Sequence, residues 1–196
     1  VVWLGTDATL TRFAAFLWND QEYVMEEIEG YYARLVEVVG DDESDLIIAV
    51  GELLGVATTI AEKRDQWAQK VIVYAGDNTN VIGWLETWAS GNRYVSHVLK
   101  VLTHVLASRH MTILPAYCRT FHNVTPDWGT RVDEADIAAT MSERGFSRIR
   151  VKAAWEEVMR QGYVMRALLW ERLDPDQNRL ALQLRERRLH RDIPRP

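Results

Sequence analysis

The chain has 196 residues, 47% of them hydrophobic and 10% aromatic, which suits one well-packed domain with room for an appendage. Its formal charge of −5 argues against a free-standing nucleic-acid binder, which ordinarily shows a basic surplus. The single cysteine, Cys118, excludes an internal disulfide framework and a multi-cysteine zinc site, and it fits an intracellular setting (cytoplasm or nucleus) better than secretion.

The opening VVWLG is strand-like and lacks an initiator methionine, so the chain is expected to be a piece of a longer polypeptide. No secretory signal is visible. No membrane span is expected either, because the best candidate, Leu46 to Ile60, holds Glu52 near its middle.

Val1 to Ala8 and Thr11 to Trp18 are apolar runs that predict a hairpin, closed by a turn around Asn19-Asp20. A third strand is expected at either Tyr23 to Ile28 or Ala33 to Val39. The acidic stretch Gly40 to Ser44 reads as a solvated loop. From Asp45 to about Gln69 the pattern is helical, with Ser44 as N-cap. Lys70 to Ala75 is a short continuous apolar strand of the kind buried on both sheet faces. Asp77-Asn78-Thr79 then caps a helix through Val81, Trp84, Leu85 and Trp88. Tyr94 to Arg109 is a second amphipathic helix with Val98, Val101, Leu102, Val105 and Leu106 along one stripe. Thr112 to Tyr117 predicts another strand, and Pro115 places it near an edge or bulge. Asp133 to Arg144 is a short helix ended by Gly145. Tryptophans at regular spacing (Trp3, Trp84, Trp88) are expected in the core.

Antiparallel strands followed by strand–helix alternation predict an α/β fold with a mixed sheet and helices on its faces. Beyond Phe146 the character changes. Residues 147–196 are expected to be a helical, Arg-rich extension or linker, with one helix from Trp155 to Arg172.

Three acids stand where acids are costly. Glu52 lies in LIIAVGELLGVATTI, apolar all around the helix, and no basic residue between Asp45 and Ile60 can pair with it. A lone buried carboxylate costs several kcal/mol unless paired or bound to metal. Asp7 interrupts the first strand, on the face of Val1, Trp3 and Gly5 by the two-residue period. Asp77 follows the C-terminal end of an apolar strand, where open α/β sheets build their sites. Taken singly, each acid is an ordinary cap, turn or surface residue. Together they could share a divalent cation, since Mg²⁺ favours a few carboxylates plus water.

The segments GTDATLTRFAAF, GELLGV, VYAGDNTNVIGWL and HNVTPDWGTR stand in this order along the chain. They resemble the first strand, the "ELLA" helix, the "TDN" strand end and the closing "N..AD.LSR" of the ribonuclease H domains attached to reverse transcriptases. The variants of DIRS-like retroelements and pararetroviruses are the most similar. The resemblance runs from Val1 to about Arg131, more loosely to Phe146. It implies a ribonuclease H-like five-stranded mixed sheet over residues 1–146. It also implies an endoribonuclease that cleaves the RNA strand of RNA–DNA hybrids with two Mg²⁺ ions, Mn²⁺ serving as substitute. The four ligand acids it implies are Asp7, Glu52, Asp77 and Asp127. The last of these is an expectation of the resemblance alone. Pro126 stands where the family has Ala, and Gly129-Thr130 where it has Leu-Ser.

The partners implied are the hybrid and an adjacent reverse transcriptase domain, with no membrane. Asn78, Thr79 and Asn80 at a helix N-terminus are candidates for substrate contacts, or else plain capping residues. His122 is a candidate for proton transfer. Three other readings compete. One is a catalytically inactive connection domain, in which Asp127 should point away from the other acids. The others are a resolvase- or transposase-type nuclease of the same fold, and a non-enzymatic interaction domain.

Overall fold

The computed structural model describes residues 1–27, 36, 44–119 and 122–151. All lie in the first of the two units into which the chain divides, Val1–Gly162. The Ala33 to Val39 alternative for the third strand apart from Val36, nearly all of the acidic loop before Ser44, the helix at Trp155 to Arg172 and the Arg-rich end lie outside the described residues.

Strands β1 (Val2–Ala8), β2 (Arg12–Leu17) and β3 (Glu22–Glu27) form an antiparallel meander. The third strand therefore takes the first of its two expected positions. The first reversal is made at Thr9 to Thr11, where Thr9 N–H donates to the Arg12 carbonyl at 2.8 Å. The turn around Asn19-Asp20 serves the second reversal rather than closing the first hairpin.

Helix α1 (Ser44–Glu62) follows, then β4 (Val71–Gly76), α2 (Thr79–Thr87), α3 (Arg93–Ser108) and β5 (Thr112–Tyr117). The chain continues with α4 (Val124–Arg131), α5 (Glu134–Glu143) and β6 (Ser147–Ile149). β4 pairs parallel with both β1 and β5, giving the order β5-β4-β1-β2-β3-β6. The expected five strands are present with Pro115 on an edge strand. β6 adds a sixth, pairing parallel with β3.

Alternation along the strands splits the interior in two. Val2, Leu4, Ala8, Phe13, Ala15, Leu17 and Val24 face α1 and its neighbours in the larger core. Ala14, Phe16, Tyr23 and Met25 face the other way, against Ile137 and Met141 of α5, with Trp128 of α4 beside them. Helices thus pack on both faces of a mixed sheet whose first three strands are antiparallel, a ribonuclease H-like topology.

α1 ends at Glu62 instead of running to Gln69. Lys63 is buried and ion-paired with Asp20 and Glu22, and Trp67 donates its indole N–H to Asp20 at 2.7 Å. These ties to the β2–β3 turn replace the continuing helical pattern. By length and composition α1 could cross a membrane, contrary to the expectation from Glu52; in this fold 78% of its apolar window is buried. Trp3 and Trp88, expected in the core, are 49% and 40% exposed, whereas Trp67 is fully buried.

Candidate active site

Parallel pairing of β1 and β4, with Gly5 opposite Ala75, brings the C-terminal ends of both strands to one edge of the sheet. Asp7 is the penultimate residue of β1, and Asp77 follows β4 directly. Across the larger core, α1 presents Ile48 and Glu52, one turn apart, toward the same edge. Asp7, Glu52 and Asp77 line one cavity of about 560 Å³, together with Ile48, Asn78 and Arg131. The β1–β2 turn forms its rim. Three of the four expected acids, separated by up to 70 positions in the chain, therefore line one cavity.

Each acid has its own donor. Glu52 is 1% exposed, and its Oε1 accepts from the Tyr74 hydroxyl at 2.5 Å. The Thr6 hydroxyl lies 3.4 Å from the same oxygen. Asp7 Oδ2 accepts from the Thr130 hydroxyl of α4 at 2.5 Å. Asn123, 3% exposed, spans β1 and the end of β4: its Nδ2 donates to the Thr6 carbonyl at 3.2 Å and to Asp77 Oδ1 at 3.3 Å.

Burial, with repulsion from neighbouring acids, raises the proton affinity of Glu52 and of Asp7. Glu52 is pushed up to about 8, chiefly by desolvation and further by Asp7 and Asp77, against the opposing hydrogen bond from Tyr74. Asp7 is also raised, first by burial; the Thr130 bond opposes this, while Asp77 and Asp127 add to it. Burial followed by the negative charge of Glu52 raises Tyr74 well above its ordinary value. A site of this kind favours a positive charge between its carboxylates.

Asp127 is placed differently. It lies in the first turn of α4, near enough to raise Asp7 electrostatically, but its Oδ1 accepts from Arg131 Nε at 2.7 Å. It is not among the cavity-lining residues; its partner Arg131 is. That pairing, one turn apart, raises Arg131. Asn78 lines the cavity and caps α2, its side chain accepting from the N–H groups of Asn80 and Val81 at 3.1 and 3.5 Å. Thr79 and Asn80 are exposed on the first turn of α2, outside the cavity lining. His122 is exposed in the turn before α4 and also outside the lining.

The donor set suits a hard divalent cation: Asp7, Glu52 and Asp77 supply carboxylate oxygens on a partly desolvated wall. Among the described residues no three His, Cys, Asp or Glu side chains already form a metal-holding group. The carboxylates are instead engaged by Thr130, Tyr74, Asn123 and Arg131. Those four donors escaped the sequence reading. Asn123, Thr130 and Arg131 lie within the quoted HNVTPDWGTR and Tyr74 within VYAGDNTNVIGWL, so those segments held the signal.

Neither a protein-family model nor a curated protein matches the chain.

Proposed function

We propose that this domain is a metal-dependent endoribonuclease that cleaves the RNA strand of RNA–DNA hybrids within a reverse transcriptase polyprotein. One observation carries the reading: Asp7 of β1, Glu52 of α1 and Asp77 just past β4 line a single cavity at the carboxyl ends of β1 and β4. Preference for the hybrid rests on the likeness of the four sequence segments to ribonuclease H domains.

Mg²⁺ or Mn²⁺, two ions in the family's scheme, would activate water and stabilise the leaving oxygen of the phosphodiester. Asp7, Glu52 and Asp77 would hold them. The protein's own part is positional. β1 fixes Asp7 on a rigid strand and Thr130 sets its carboxylate; Asn123 sets Asp77 against the β1 backbone. Asp127, with Oδ1 held by Arg131, would join the ligand set through its other oxygen or by leaving that partner. Asn78 borders the cavity where a sugar or base edge would pass, and the 2′-hydroxyl distinguishes RNA there.

The test incubates the purified chain and Mn²⁺ with a labelled RNA–DNA hybrid. Cleavage of the RNA strand, lost in Asp77→Asn, supports the reading. Cleavage of plain duplex DNA supports a resolvase- or transposase-type nuclease instead. A second reading, the inactive connection domain, is favoured by the Asp127–Arg131 pair. It requires that no substrate be cut at any Mn²⁺ concentration.

A further inference from the structure

Behind Glu52, which lines the cavity, three oxygens from three elements meet without solvent. Thr6 of β1 and Tyr74 of β4 are both 0% exposed, and Glu52 of α1 is 1% exposed. The Tyr74 hydroxyl stands 2.5 Å from Glu52 Oε1 and 3.2 Å from the Thr6 hydroxyl. It reaches Glu52 along the space beside Gly76, two residues on and on the same face of β4. A Cβ at position 76 would collide with the Tyr74 hydroxyl and lie 3.0 Å from Glu52 Oε1. Among the described residues no hydrogen bond reaches the second oxygen, Oε2.

We infer that Tyr74 is a positioning residue that occupies Oε1 and so turns Oε2 of Glu52 toward the cation site, with Gly76 as the gap that lets it do so. A carboxylate on a flexible side chain loses less freedom on binding an ion when one oxygen is already held. Partners of this type are ordinarily worth 10–100-fold in metal affinity. The inference rests on the proposed ion-binding role of Glu52, and its test separates the two.

Mn²⁺ binding to the full chain is measured by calorimetric titration for the wild type, Tyr74→Phe, Glu52→Gln and the double variant. Tyr74→Phe removes one oxygen and keeps the ring. The expected result is roughly tenfold weaker Mn²⁺ binding in Tyr74→Phe, and no further loss when the same change is made in Glu52→Gln. An equal loss in both backgrounds means that Tyr74 does not act through Glu52, and overturns the inference. Unchanged Mn²⁺ affinity in Tyr74→Phe overturns it while leaving the ion site standing. A wild type that binds no Mn²⁺ overturns the ion site and this inference with it. If Tyr74→Phe does not fold, Gly76→Ala, which keeps the hydroxyl but displaces it, gives the same comparison.

Discussion

Thr130 Oγ1 donates to Asp7 Oδ2 at 2.5 Å, and the same oxygen lies 2.9 Å from the Asp127 carbonyl one turn back in α4. The first acid of the site is thus tied to the helix that holds the last. Thr130→Val keeps the shape and removes the bond. A hydrogen bond to a charged group contributes about 1.5–3 kcal/mol, so Thr130→Val should lower unfolding stability by about 1–2 kcal/mol in urea titrations near neutral pH. Nuclease activity should fall with it. Full activity together with unchanged stability would show that Thr130 does not position Asp7.

The two raised carboxyls set the direction of pH dependence. A group whose folded pKa exceeds its unfolded value binds more protons in the native state, so its stabilisation is complete below the unfolded pKa and disappears as pH rises through the folded one. For Glu52 that window runs from about 4.3 up to about 8; Asp7 acts in the same direction. In chelated buffer the melting temperature should therefore decline between pH 5 and pH 8. Glu52→Gln should flatten the decline. Mg²⁺, which favours the ionised forms, should raise the melting temperature more at pH 8 than at pH 5. A melting temperature that climbs across this range without added ions would contradict the burial argument.

Asp127 and Arg131 make the sharpest comparison between an active and an inactive domain. Their ion pair is a single helical turn in length, with side chains 32% and 66% exposed, and such pairs contribute about 0.3–0.5 kcal/mol. Asp127→Asn should leave stability within about 0.5 kcal/mol of the wild type. Its effect on hybrid cleavage should be smaller than that of Asp77→Asn, since Asp77 lines the cavity and Asp127 does not. Rates measured for both variants at saturating Mn²⁺ decide it; equal and complete losses would place Asp127 among the ligands during turnover.

Much of the sheet was legible because its cause is local. The apolar runs of β1, β2, β4 and β5, the all-round apolar α1 and the stripes of α2 and α3 read directly as elements. Helix α4 was not visible. VTPDWGTR has a proline in its first turn, a glycine in its last, and no clear apolar stripe. It forms because the sheet accepts it, through contacts with β1 and β2. The end of α1 was missed for the same reason: Lys63 and Trp67 answer to Asp20 and Glu22, more than forty residues earlier. In the site, the acids were legible because an acid in an apolar run is conspicuous. Their donors were not, because a tyrosine or a threonine in a strand or helix is unremarkable until its partner arrives from elsewhere.

Gly129 sets how closely α4 approaches β2. Ribonuclease H domains of the resembling type have leucine at this position. Here a Cβ on Gly129 would stand 3.0 Å from Ala14 Cβ and 3.0 Å from Phe16 Cε2, so α4 rests directly on β2 where a larger side chain would hold it off. Ala14 pairs with Asp7 across the hairpin, so any lift of α4 also moves Thr130 from Asp7. Gly129→Ala should destabilise by about 0–2 kcal/mol, an overpacking cost of about 1–3 kcal/mol being offset by about 1 kcal/mol of helix propensity, and Gly129→Leu by more. Ala14→Gly beside Gly129→Ala should restore part of the loss, because it removes one of the colliding atoms. Additive losses in denaturant titrations would show that α4 approaches β2 for some reason other than the missing side chain.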